Sequence, residues 1–183
     1  MYQAQKIQTK QIVLIGLFAA IIAILSQIAL PLPINVPVTL QTFAVALCGY
    51  FLGRKNGSIA VIVYVILGAV GLPVFSGWKG GLSAISGFTG GFIYGFIPMA
   101  FLCGQGMKLN RRIPAIIFGI AGLACTHLLG ALQYSILAKI SFGKSLMTVS
   151  LPFIVKDIVS VIFAYIISAE VQKRLGKSDF VKN

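Results

Sequence analysis

The sequence predicts an all-α polytopic membrane protein with six transmembrane helices, and three observations carry that expectation. Of its 183 residues, 58% are hydrophobic and only 10% charged, with a mean hydropathy of +0.97; soluble domains carry about a quarter charged residues. The apolar residues gather in runs approaching the roughly 20 needed to cross a bilayer core. The 15 Lys and Arg, against 3 Asp and Glu, fall almost wholly between those runs, where anionic headgroups lie.

A net charge of +12 would also fit a nucleic-acid binder. However, no basic face interleaved with aromatics and no soluble stretch is present to form one, which argues against nucleic acid and for membrane lipid as partner. Cys48, Cys103 and Cys125 form no CxxC pair and read as small buried hydrophobes rather than a disulfide framework or metal site. The chain reads as one membrane-embedded domain, residues 1–183.

Taken in order, the first span is expected over residues 12–30 as a retained helix, because its apolar run is long for a signal peptide and lacks a cleavage site. It ends at "PLPINVP", whose prolines cannot continue a helix. The second span, 38–52, is short and closes at "GRKNG"; the third, 58–72, is rich in Val and Ile and ends at Pro73. A fourth is expected over 88–103, bounded by "GQGMKLNRR", a fifth over 113–137 and a sixth over 151–169. Backbone groups in hydrocarbon must pair within their own segment, so the spans are expected as helices; they lack the alternation of a barrel.

The basic residues orient them. With the N-terminus inside, Lys6, Lys10, Arg54, Lys55, Lys108, Arg111, Arg112, Lys173, Arg174, Lys177 and Lys182 fall on the cytoplasmic side, against Lys79, Lys139, Lys144 and the membrane-edge Lys156 opposite. That asymmetry predicts cytoplasmic N- and C-termini. Loops 31–37, 73–87 and 138–150 then lie outside.

Those outer loops carry the unusual chemistry. In "NVPVTLQTF", Asn35, Thr39, Gln41 and Thr42 gather donors and acceptors at the start of a helix, suited to a polar ligand or to helix capping. Trp78 reads as an interfacial anchor or as a flat apolar wall. Lys79 reads as a snorkelling side chain or as partner to a ligand carboxylate. In "FTGGFIYGF", Gly90 and Gly91 allow close approach, either of another helix or of a ligand beside Tyr94.

The sharpest signal is ionisable. Lys156 and Asp157 sit about 9 Å into the last span at 1.5 Å per residue, where a lone charge costs several kcal/mol. Being adjacent, they point about 100° apart, so pairing would require the long lysine chain to bend. Asp157 and Ser160 do share a face, and a carboxylate beside a hydroxyl can receive ligand N–H groups. His127 stands alone in mid-helix and reads as a packing group. No carboxylate pair, hydrolase elbow, HExxH or phosphate loop is present, so no catalytic residue, metal or cofactor is expected.

Three segments, "INVPVTLQTFAVALCGYFLGRKNG", "YVILGAVGLPVFSGWKGGLSAISGFTGGFIYGF" and "LPFIVKD", together resemble the BioY family, the biotin-binding S-components of energy-coupling factor (ECF) transporters. The resemblance spans nearly the whole chain. It implies a six-helix S-component fold in a prokaryotic cell membrane, with no enzymatic activity of its own. It also implies a transmembrane coupling subunit and two ATP-binding subunits as partners, the latter hydrolysing ATP, and biotin as transported substrate.

On that resemblance, Asp157 is expected to receive the ureido ring, with Thr39, Gln41 and the Gly90, Gly91 and Tyr94 face completing polar contacts. Trp78 and Phe75 would cover apolar surface, and Lys79 or Lys156 would balance the carboxylate. The family usually carries lysine three residues after this aspartate; here Ser160 stands there and the lysine is Lys156. In "GLFAAIIA", Gly16 with Ala20 and Ala19 with Ala23 resemble the small-residue contact by which S-components meet their coupling subunit. Two alternatives are an S-component for another small vitamin or precursor, and a non-catalytic membrane scaffold or channel.

Overall fold

Apolar runs leave the backbone little to bond but itself, and the computed structural model, which describes residues 9–174, accordingly consists mainly of helices. In order they are α1 (Thr9–Ser26), strands β1 (Ala29–Leu30) and β2 (Val38–Thr39), α2 (Gln41–Ala69), α3 (Leu82–Ser86), α4 (Gly90–Lys108), α5 (Arg112–Ala138), α6 (Phe142–Val149) and α7 (Leu151–Arg174). Lys6, Lys177, Lys182 and both termini lie outside the described residues.

The first helix stops at Ser26, short of the expected Leu30. Ala29 and Leu30 instead pair antiparallel with Thr39 and Val38, clasping the proline-rich loop 31–37 between two short strands. Prolines 31, 33 and 37 lack the N–H a helix would need. Helices α3 and α6 occupy the other two expected loops.

The second and third expected spans share α2, whose backbone breaks at Gly53 (φ 77°, ψ 175°). Gln41 Nε2 donates to Tyr64 Oη at 2.6 Å, whereas a continuous helix would hold residues so spaced about 35 Å apart. Cys48 Sγ lies 3.6 Å from the Gly57 carbonyl oxygen. The chain therefore doubles back at Gly53, and the arms 41–52 and 54–69 run antiparallel. The turn needs one residue; the rest of "GRKNG" is helical.

By length and composition, four helices among the described residues are able to cross a membrane, α1, α2, α5 and α7, rather than six. Each arm of α2 falls below the usual minimum of about 17 residues. Helix α4 is diluted by glycines, Pro98 and Gln105.

Helix α4 packs between α2 and α5, and its glycines permit the approach. A side chain on Gly95 would overlap Thr126, and one on Gly104 would strike the backbone at Gly53 and Arg54. At this end of the bundle, buried Gln172 Nε2 on α7 donates to the carbonyls of Tyr50 (3.0 Å) and Phe51 (3.1 Å). These are carbonyls that the break at Gly53 releases from the helix ladder.

Gly53→Ala is expected to lower stability by about 1–3 kcal/mol, since that backbone region is essentially confined to glycine, although open space surrounds the added methyl. Gly16→Ala, equally unobstructed but helical, should be neutral or stabilising by up to about 1 kcal/mol. Thermal unfolding in detergent distinguishes the two.

Candidate ligand-binding site

Where the bundle meets loops 31–39 and 74–89, a cleft with an empty volume of about 730 Å³, part of it open to solvent, opens among α2, α4, α5 and α7. Helix α4 supplies Phe92, Ile93 and Phe96, which with Thr89 at its N-terminal end form one face at positions i, i+3, i+4 and i+7. Val36, Phe75 and Phe153 complete the apolar wall. The polar lining is concentrated at Thr39, Gln41, Thr42, Thr126, His127, Lys156 and Asp157, with Lys79 and Ser76 towards the loop.

Hydrogen bonds from the helices hold the two loops over this cleft. The Thr39 hydroxyl donates to Gln41 Oε1 at 3.2 Å, and the Gln41 amide passes on to Tyr64 Oη, which reaches the Val74 carbonyl at 3.3 Å. From α1, Ser26 Oγ donates to the same carbonyl at 2.6 Å, and just beyond it Gln27 Nε2 donates to Val74 O (3.2 Å) and Phe75 O (3.1 Å). Gln27 Oε1 accepts from the Trp78 N–H at 3.0 Å. The ring of Phe75 packs edge-on against Tyr64 in a space that only glycine at position 68 leaves open. On the other side, Gln133 Nε2 of α5 donates to Ile85 O (3.1 Å) and Gly87 O (2.7 Å).

Asp157, 4% exposed, is the charged centre of the cleft. Lys156 Nζ lies against Asp157 Oδ1 and donates to the Thr39 carbonyl at 2.8 Å. The adjacent charges do pair, contrary to the divergence of their Cβ directions, because the flexible lysine stem curls back. His127, expected as a packing group, sets Nε2 3.4 Å from Asp157 Oδ2 and presents its ring perpendicular to Phe92. Neither ring nitrogen makes a well-formed hydrogen bond within the described residues.

Six of the expected binding residues line the cleft: Thr39, Gln41, Phe75, Lys79, Lys156 and Asp157. Five do not. Ser160 is buried within the bundle. Gly90 and Gly91 are buried against the backbones of Ile85 and of Leu129 and Gly130, respectively, as packing contacts. Tyr94 and Trp78 are 43% and 72% exposed, and Trp78 sits at φ 58° in the turn that Gln27 holds. His127, Thr42 and the α4 phenylalanines join the lining. The α4 face was available from its helical period; the His127 contact joins helices distant in sequence and left no local signal.

Comparison with known proteins gives consistent matches. The family model described as "BioY family" matches residues 2–177. A protein of Thermotoga maritima named "Biotin transporter BioY" is 36% identical over 90% of this chain and 96% of its own. A "Probable biotin transporter BioY" of Pyrococcus horikoshii is 38% identical over 90% and 98%. The crystal structure of the S-component for biotin from an ECF-type ABC transporter superposes with a TM-score of 0.84 at 28% identity, covering 94% of this chain and 95% of that one.

Gln27→Ala and Gln133→Ala should each cost about 0.5–1.5 kcal/mol, the net range for partly buried hydrogen bonds. Hydrogen exchange should accelerate at 74–79 in the first variant and at 85–87 in the second, with the other end of that loop unchanged.

Proposed function

The chain belongs to the BioY family, and we propose that it captures biotin as the substrate-binding S-component of an ECF-type vitamin importer. It is a non-catalytic transport subunit. The observation that carries the reading is a buried carboxylate, Asp157, the charged centre of an aromatic-walled cleft beneath two anchored loops.

Biotin's chemistry matches that lining. Its ureido ring offers two N–H donors and a carbonyl, its thiophane ring and valeryl chain are apolar, and its carboxylate is anionic. A ureido N–H directed at Asp157 forms a charge-assisted hydrogen bond. Lys156 balances the carboxylate, so the cleft does not bury a net charge alone. It thereby supplies a cation in the same helix where the family usually has lysine at the position of Ser160. Phe92, Phe96 and Phe153 receive the thiophane ring and valeryl chain, and Thr42 and His127 are the nearby groups available to the ureido carbonyl. Ser160, Trp78, Gly90, Gly91 and Tyr94 are left with supporting roles in packing or at the membrane surface.

The membrane arrangement extends the proposal. Counting each arm of α2 and helix α4 as crossings gives six, with both termini cytoplasmic and the cleft facing outward in a prokaryotic cell membrane. The partners are a transmembrane coupling subunit and two ATP-binding subunits that hydrolyse ATP. On α1, Gly16 and Ala20 face outward, whereas Ala19 is buried and Ala23 partly so. The coupling contact is therefore assigned to Gly16 and Ala20.

In calorimetry on the purified chain without ATP, Asp157→Asn should weaken biotin binding about tenfold or more, the equivalent of one charge-assisted hydrogen bond. An unchanged Kd would remove Asp157 from the site, and binding of another vitamin in place of biotin would reassign the substrate. Gly16→Leu should keep biotin affinity within about twofold yet lose uptake when co-expressed with the coupling and ATP-binding subunits.

A further inference from the structure

His127 is the chain's only histidine, and α5 buries it where it lines the cleft. A side chain kept only for packing has no need of ring nitrogens, and buried polar atoms without partners cost free energy. Yet Nδ1 and Nε2 are both shielded from solvent with no hydrogen-bond partner among the described residues. The preceding Thr126 places its hydroxyl on the carbonyls of Gly95 (3.0 Å) and Gly122 (3.1 Å). Helix α5 thus satisfies one buried polar side chain here and leaves the next one open.

Acids that could face this ring are scarce. The chain has three acidic side chains, Asp157, Glu170 and Asp179. Glu170 is exposed and paired with Arg174, and Asp179 lies outside the described residues. The charged groups lining the cleft are Asp157 and Lys156 from α7 and Lys79 from the loop after α2; α2 and α4 bring only uncharged side chains, with the edge of Phe92 against the imidazole. Lys156 occupies Asp157 Oδ1, while His127 Nε2 stands 3.4 Å from Oδ2. Histidine changes charge between about pH 5 and 8. The neutral ring has a single N–H and leaves Oδ2 open to a ligand N–H. The imidazolium has a donor on each nitrogen, and its bond to Oδ2 is charge-assisted, roughly twice as strong as a neutral one. Imidazolium and ligand therefore compete for one oxygen.

We propose that His127 is a positioning residue whose protonation sets the availability of Asp157. As the neutral ring it leaves Oδ2 to the ligand; as the imidazolium it takes that oxygen. Capture by the protonated form then releases the ring proton to solvent, and ligand is held less tightly in acid. This rests on the biotin reading above and adds a proton-linked control to it.

The test uses the full, untagged chain in detergent with biotin and with biotinol, the alcohol analogue whose lack of a carboxyl group keeps the ligand itself from titrating. In calorimetry, wild type should bind biotinol about three- to tenfold more weakly at about pH 5.5 than at about pH 7.5. Repeating the acid titration in buffers of different ionisation enthalpy should show proton release on binding. His127→Gln keeps a side-chain donor but no titrating ring; whatever its affinity, its Kd should agree within about twofold at the two pH values. With 15N-labelled histidine, the one imidazole signal should move with pH in the free protein and stay at its neutral position when ligand is bound. The role of His127 is overturned if wild-type affinity is equal at both pH values, if binding tightens in acid, or if the imidazole signal of the free protein does not move. It is equally overturned if the acid loss persists in His127→Gln, which assigns the titration to Asp157 itself. A wild type that binds neither biotin nor biotinol at either pH removes the function proposed above, whereas pH-independent binding of both removes only the role of His127.

Discussion

A carboxylate held at 4% exposure inside an apolar bundle is the constraint around which this molecule is arranged. Such a charge cannot be left uncompensated, since an unpaired buried ion costs several kcal/mol. The compensating charge is Lys156, and groups from two other segments gather around the pair. Lys156 approaches from the same helix, His127 from α5, and the Thr39 carbonyl fixes the lysine from the strand that clasps the proline loop. Satisfying one acid therefore ties α5, α7 and the 31–39 loop together at one end of the bundle. A cleft with aromatic walls and a charged centre is the geometric result.

The same economy recurs in the anchoring of the outer loops. Segments that leave the helices carry polar groups needing partners, and single amides at helix ends provide them. Gln27 grips residues 74, 75 and 78, and Gln133 grips 85 and 87. Lids so attached can be held over a ligand by few bonds and released by losing few, which suits a protein that must both capture and give up its cargo.

Much of this was legible in the sequence, for identifiable reasons. Asp157 announced itself because an ionisable residue in an apolar run has few uses, and α1, α5 and α7 announced themselves by length. Gly53 was harder, because "GRKNG" has the composition of a loop while four of its five residues continue as helix beyond a one-residue turn. The pairing of Lys156 with Asp157 ran against helical-face geometry, which describes where Cβ atoms point but not where four methylenes can carry an ammonium. His127 was opaque because its partner lies on another helix. Gly90 and Gly91 suggested closeness correctly but did not reveal to what; the answer is other backbone, not the cleft.

The bent helix α2 has a further consequence. Its arms, at 1.5 Å per residue, rise only about 18 and 24 Å, against a hydrocarbon core of about 30 Å. Ile59, Ile62 and Ile66 on the second arm are exposed on the outside of the bundle. One side of the protein is therefore shorter than α5 or α7, and lipid beside it must thin, or the body must lean, to cover that apolar surface. Hydrophobic mismatch is thus built asymmetrically into the fold, and the thickness of the surrounding bilayer becomes a variable that acts on the protein's tilt.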